Sequence, residues 1–209
     1  MKLLLHACCG PCSLEPVRLL QEAGHELAIA YMNSNIHPEA EYVRRRDTLL
    51  AWAQEEGIPV IEGVYDPGLW EAAVAPIVAA PCDKNVPSPL PHDRSERCRA
   101  CYRLRFEEAA RYGAEHGFEG ICTTLSVSPY QFTEVIGEEL SRIAAKYGLV
   151  AVFEDFRPYY PEATRRSREL GMYRQNYCGC RLSEAEAAAE REERKRLRKA
   201  KKSEAGGVV

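Results

Sequence analysis

No stretch of this chain approaches the roughly 18 consecutive apolar residues that a bilayer-spanning helix needs, so a helical membrane protein is excluded. No leader is expected either. Only three leucines, Leu3 to Leu5, stand before His6-Ala7-Cys8, against the about 7–15 apolar residues of a signal core, so the chain is expected in the cytoplasm. There is no surplus of either charge: 28 Lys and Arg against 31 Asp and Glu leave a net charge of -3, and the average gives no sign of a nucleic-acid binder. Internal repeats are absent, which excludes solenoids. Large apolar residues almost vanish after Ser183, so the end of the chain has little with which to build a core of its own.

What is present in quantity is cysteine. Nine cysteines in a cytoplasmic chain argue for metal or redox chemistry over a disulfide framework, because that compartment keeps thiols reduced. An odd number also leaves one thiol over in any all-disulfide scheme. The hydrophobic share of 45% over 209 residues suits one soluble domain with a good core. Charge, neutral on average, is clustered locally: Arg44-Arg45-Arg46; Arg97, Arg99, Arg103 and Arg105; and Arg165, Arg166 and Arg168.

Read in order, Lys2 to His6 predicts a first strand and Ser13 to Ala23 a helix closed by Gly24. Glu26 to Met32 predicts a second strand, about Glu39 to Glu56 a helix with Tyr42, Leu49, Leu50 and Trp52 as core, and Ile58 to Ile61 a third strand. That alternation implies an α/β fold with a parallel sheet and right-handed crossovers. Pro76 to Arg94, with five prolines and little periodicity, predicts an inserted surface loop that carries Cys82. Helices are expected from about Ser95 to His116, after Gln131 to Tyr147, and from Glu162 to Leu170. Strands are expected over Gly120 to Thr124, with Cys122 in the core, and Leu149 to Phe153. Residues 1–182 thus read as one catalytic domain and 183–209 as a charged helical or disordered tail.

The chemistry concentrates in His6-Ala7-Cys8-Cys9-Gly10-Pro11-Cys12-Ser13, a turn between the first strand and the first helix. Free backbone N–H groups and the positive end of the helix dipole favour thiolate there, the form that binds metal or attacks an electrophile. A second signal is Cys98-Arg99-Ala100-Cys101, whose spacing lets two sulfurs reach one metal from a single helical turn. With Cys8 and Cys9 this makes four thiolates from two loops, a set that suits zinc or a [4Fe–4S] cluster; the adjacent pair, unusual in zinc ribbons, favours iron. Cys178-Gly179-Cys180 differs, because one intervening residue closes only a small, strained disulfide ring of the labile, oxidising kind. Two further metal ligands are the alternative for that pair.

Assembled, these pieces resemble the QueH-type epoxyqueuosine reductases of tRNA modification. The resemblance is carried by the cysteine turn, by Asn35-Ile36-His37-Pro38 with Glu41-Tyr42 and Arg44-Arg45, and by Arg97-Cys98 through Cys101-Tyr102 with Arg105. Thr123-Thr124-Leu125 with Ser128-Pro129-Tyr130-Gln131, Asp155-Phe156-Arg157, and the run Leu170 to Cys180 complete it. It implies an adenine-nucleotide-α-hydrolase-like (HUP-type) three-layer fold in which the cysteine turn stands where related ATP pyrophosphatases bind phosphate. It also implies a [4Fe–4S] cluster on Cys8, Cys9, Cys98 and Cys101, a redox-active Cys178–Cys180 pair, and a second iron for which Cys12 and Asp66 are candidates.

The activity the resemblance implies is removal of the epoxide oxygen from epoxyqueuosine at the tRNA wobble position, leaving an alkene and water, the last step of queuosine synthesis. Electrons come from a donor not identified by the sequence. Tyr130, His37 and Asp66 are candidate proton donors. Arg44, Arg45, Arg165, Arg166 and Arg168 are candidate contacts to anticodon-stem phosphates, with Tyr130, Tyr159 and Tyr173 candidates for stacking on a splayed base. The rivals are an ATP-dependent or sulfur-transferring tRNA-modifying enzyme on the same fold, although a Ser-Gly-Gly-x-Asp-Ser phosphate loop is absent, and a zinc module with an RNA-binding tail.

Overall fold

The computed structural model describes residues 1–79 and 94–205, with side chains to residue 198. Leu3, Leu4 and Leu5 are all fully buried, as expected of a strand covered on both faces, where the apolar run is continuous instead of alternating. This strand, β1 (Lys2–His6), pairs in parallel with β2 (Glu26–Tyr31) on one side and β4 (Gly120–Thr123) on the other. The edges are β3 (Val60–Glu62) beside β2 and β5 (Val150–Ala151) beside β4, giving the order β3-β2-β1-β4-β5, all parallel.

Handedness sorts the helices. While the chain steps outward from β1 to β3, right-handed crossovers put α1 (Gly10–Glu22) and α2 (Glu39–Glu55) on one face; when it reverses to reach β4 and β5, the same hand puts α4 (Arg94–Glu115) and α5 (Thr133–Lys146) on the other. The core follows. Leu3 and Leu5 pack with Leu14, Val17, Leu49 and Trp52 of α1 and α2, and Leu4 with Phe106, Ala110, Ile136 and Leu140 of α4 and α5. α6 (Tyr160–Glu169) joins the first layer through Ala163. The result is the expected three-layer α/β fold with a parallel sheet. Strand order reverses between β1 and β4, and the crevice outside the carboxyl ends of those strands is where open α/β sheets take their ligands.

Some boundaries differ from expectation for local reasons. α1 begins at Gly10, because Gly10 and Pro11 enter the first turn where the N–H that proline lacks would be unpaired anyway, and Cys9 becomes the N-cap. Residues 76–78, expected in a loop, close α3 (Pro67–Val78), which is opened by Asp66: its carboxylate accepts from the Gly68 N–H at 2.9 Å. Cys82 and the remainder of the expected insertion lie outside the described residues. The tail is a helix, α7 (Arg181–Ala205), whose start is held by Ser183 and Leu182. Among the described residues no helix is long and apolar enough to cross a membrane.

Candidate functional site at the sheet switch point

Starting the helix at Gly10 decides the geometry of the first three thiols. Cys8 and Cys9 lie in the extended segment that leaves β1, and Cys12 sits one turn up α1, so the three sulfurs converge to within 4.8 Å of one another. Cys8 and Cys9 sulfurs are 3.7 Å apart. A β-carbon at Gly10 would stand 3.3 Å from the Thr48 methyl and 3.4 Å from its carbonyl oxygen, so glycine lets this turn lie flush against α2. Gln175 covers the group from above, its amide N–H donating to Cys9 Sγ at 2.9 Å.

These thiols share protons. Hydrogen bonds from Cys12 and then Cys9 hold Cys8 well below the usual thiol range, and that bond pushes Cys12 well above it. For Cys9, a bond from Cys12 pulls down, but the bond to Cys8 and burial outweigh it and leave the thiol at about 12. One thiolate held by two protonated neighbours is a group that a cation completes by displacing the two protons.

A second sulfur group occupies the adjoining wall. Cys98 and Cys101, one turn apart on α4, line a small cavity together with Cys178 and Cys180, under Trp70. Burial, then the neighbouring Cys178, pushes the Cys98 thiol up to about 12, and burial raises Cys101 and Cys178 as well. Cys178 and Cys180 are both free thiols. Gly179 between them has φ +142°, and a β-carbon there would stand 3.1 Å from Ile36 Cγ1 and 3.2 Å from Arg45 Nη1, so both conformation and space require glycine. Its carbonyl accepts from the His37 N–H at 2.8 Å.

The two sulfur groups are joined by a cleft of about 650 Å³. Cys8 and Cys12 lie on its floor, and Cys178 and Gln131 line both the cleft and the smaller cavity. Gln131 donates to Cys178 Sγ at 3.2 Å and accepts from the Tyr102 hydroxyl at 2.7 Å. Tyr130, 63% exposed, forms part of the rim. Among the described residues, the three-thiol group Cys8, Cys9 and Cys12 is the one set of His, Cys, Asp or Glu atoms close enough to share an ion as it stands; Cys98 and Cys101 are not in that set.

Two fully buried arginines bracket the sulfurs. Arg45, expected on an RNA-facing surface, is instead inside: it pairs with Glu41 at 2.7 Å and donates to the carbonyls of Cys178 and Tyr177 at 2.8 and 3.2 Å. Its donors are spent on the Cys178 loop, so it is unavailable to phosphate. Arg105 donates to Asn33 Oδ1 at 2.6 Å, its Nε is buried without a partner, and among the described residues no carboxylate pairs with it. A buried, uncompensated guanidinium is costly unless a negative group stands nearby.

The other candidates disperse. Arg44 is exposed over the Tyr173 ring, Arg165 pairs with Glu162 and Glu169, Arg166 ties α6 to the buried Glu15 of α1 at 2.7 Å, and Arg168 is exposed. His37 lines neither cavity: its ring packs on Trp70 with centroids 5.5 Å apart, and burial lowers its pKa. Asp66 caps α3 and lines neither cavity, so the structure gives it a helix-capping role in place of the metal-ligand and proton-donor roles expected of it. Gln131, Gln175, Arg94, Arg191 and Arg194, to which sequence reasoning gave no role, do line the cleft. The glutamines stood inside the matching motifs, whereas nothing in the sequence singles out those arginines from their many neighbours.

A family model described as epoxyqueuosine reductase QueH matches residues 3–186. Curated relatives named epoxyqueuosine reductase QueH include one from Haemophilus influenzae, 33% identical over 92% of this chain and 75% of that protein. Others are from Acinetobacter baylyi, 34% identical over 86% and 78%, and Dehalococcoides mccartyi, 31% identical over 88% and 93%. With the family model spanning nearly the whole described fold and these relatives aligned across it, the chain belongs to the QueH family of epoxyqueuosine reductases.

Proposed function

We propose that the protein is an oxidoreductase that reduces epoxyqueuosine in the tRNA wobble position to queuosine, with a [4Fe–4S] cluster held by Cys8, Cys9, Cys98 and Cys101. The observation that carries the reading is the buried Arg105, with no carboxylate partner among the described residues, beside two walls of thiols: the counter-charge it draws is thiolate, as at Cys8, and four thiolates around iron would supply it. The donor set fits, since it is all sulfur, buried at Cys8, Cys9 and Cys101 and half-buried at Cys98, and at the ligand edge of the sheet. Cys12 is the candidate for a second iron. When bound, the cluster supplies one-electron reduction. Zinc on the same sulfurs would satisfy Arg105 equally, and the test below separates the two.

The chain's own residues have the following parts. Opening the epoxide to an alkene and water consumes two electrons and two protons, and oxidation of the Cys178 and Cys180 thiols to a disulfide releases two of each, so the pair balances one turnover and an external electron donor must reduce it again. Gln131 orients Cys178 at the junction of the two cavities, and Arg45 with Glu41 fixes the loop that carries it. Tyr130 at the rim is placed to stack on a splayed base or to give a proton from its hydroxyl. The site of action in this reading is the cytoplasm, where a free dithiol persists.

Oxygen-free purification tests the reading. Brown protein with about four irons and four sulfides, and conversion of epoxyqueuosine-containing tRNA under reductant, is the expected outcome. Colourless, zinc-loaded protein with full activity would overturn the cluster. Absence of turnover by iron-replete protein would overturn the reaction.

A further inference from the structure

The cleft has a wall that the family match enters but does not span. Ser183, Glu186, Ala187, Glu190, Arg191 and Arg194 line it, a three- and four-residue spacing that marks one face of α7, and the match ends at residue 186. We propose that this face is a phosphate clamp, in which Arg191 and Arg194, with Arg94, hold the RNA backbone beside the nucleotide that enters the cleft. This inference rests on the tRNA reading above.

Charge accounting along the wall supports it. Glu186 is neutralised from below by Arg97, which donates to both its oxygens at 2.5 and 3.0 Å, and Arg94 stands 3.7 Å from it. Glu190 has only a long pair with Arg194, at 3.4 Å. Arg191 has no carboxylate partner among the described residues; one of its N–H groups donates to the Asn176 carbonyl at 3.1 Å, which anchors the guanidinium at the cleft and leaves its other donors to the opening. The wall therefore keeps a positive surplus at the rim. Neither Arg191 nor Arg194 is buried, so a phosphate can reach them without desolvating the pair.

The remaining lining fits the same ligand. Tyr130 and Tyr160, in edge contact at 6.5 Å between centroids, give the rim an aromatic element beside the arginines, and cation beside ring is the pairing that holds unpaired nucleotides. The arginines that sequence alone suggested, Arg44, Arg45, Arg165, Arg166 and Arg168, do not line the cleft, and Arg45 is buried besides. Arg196, near the opposite face of α7, makes a 4.0 Å pair with Glu193, does not line the cleft, and serves as a control of equal charge.

The test compares the full-length wild type, Arg191→Ala/Arg194→Ala and Arg196→Ala for binding of an anticodon stem–loop RNA over a salt series and for steady-state turnover of epoxyqueuosine tRNA. The double variant should bind about tenfold or more weakly at low salt, with the slope of log affinity on log salt reduced by about 1.5, and should raise KM while kcat and iron content stay near wild type. Arg196→Ala should leave binding unchanged. An unaltered slope in the double variant, beside a wild type that binds and turns over, overturns the clamp and leaves the function standing. An equal loss in Arg196→Ala also overturns it, because the effect would then be one of general charge. A wild type that neither binds nor reduces the tRNA takes down both.

Discussion

Arg45 on α2 donates a hydrogen bond of 2.8 Å to the carbonyl of Cys178, 133 positions away in the chain. The same guanidinium is paired with Glu41, whose other oxygen accepts from the Tyr173 hydroxyl at 2.7 Å. The loop bearing the cysteine pair is thus pinned from within by one ion pair, shielded from water. Arg45→Ala should cost about 3–5 kcal/mol in denaturant unfolding, because it leaves the buried Glu41 carboxylate without its cationic partner. Glu41→Gln in the same chain should recover part of that loss. If Arg45→Ala unfolds at the wild-type midpoint, the pin contributes nothing.

Arg105 makes a separate prediction through charge. Its guanidinium acts on His6, Cys8, Cys101 and Cys178 and has no carboxylate partner among the described residues; burial, and after it Arg105, holds His6 down at about 3. In protein reconstituted with iron and sulfide, Arg105→Met should shift the reduction midpoint to more negative values, since a nearby positive charge favours the reduced state, and Arg105→Lys should shift it less. Potentiometric titration reads this directly. A midpoint the same in all three proteins would remove Arg105 as the counter-charge.

Much of this was legible in the sequence where the signal is local. The Leu3 to Leu5 run, the glycines after helices and the apolar spacing of Tyr42, Leu49 and Trp52 located strands and helices within a few residues, because parallel strands and amphipathic helices write their burial into adjacent positions. The cysteine turn was legible as chemistry for the same reason. Arg45 was not. Its neighbours Arg44 and Arg46 are at least partly exposed, and a run of three arginines carries no mark of which one turns inward; that is settled by Glu41 one turn earlier and by carbonyls more than 130 residues away. α3 was hidden by Pro76, which reads as a breaker but sits in the last turn, and α7 as a cleft wall was hidden because no apolar stripe distinguishes the face it turns inward.

Gly179 offers a backbone test of the cysteine pair. With φ +142° and its would-be β-carbon 3.1 Å from Ile36, substitution by alanine strains the chain and crowds the α2 entry at once. Gly179→Ala should lose about 1–3 kcal/mol of stability and lower kcat. Iron content should be unchanged, since the proposed ligands Cys8, Cys9, Cys98 and Cys101 are untouched. Loss of iron along with kcat would mean that the Cys178 loop supports the ligand set itself.

Strong acid should loosen the α4–α5 contact. Glu139 on α5 is 3% exposed and accepts hydrogen bonds from Arg99 and Arg103 of α4 and from Arg142 of its own helix, at 3.3, 3.1 and 2.7 Å. Burial alone would raise its pKa, but the bonds from Arg103 and Arg142 outweigh that and bring it down to about 2. The unfolded chain takes up this proton near the ordinary glutamate value, about 4.3, so folding stability from Glu139 is complete above that pH and is lost as pH falls through about 2. Glu139→Gln should therefore be about 2–3 kcal/mol less stable than wild type at pH 7, and the gap should close between pH about 4.3 and 2. Urea unfolding across that range measures it. A gap that persists at pH 2 would show that the glutamate holds the two helices by packing alone, with its charge contributing nothing.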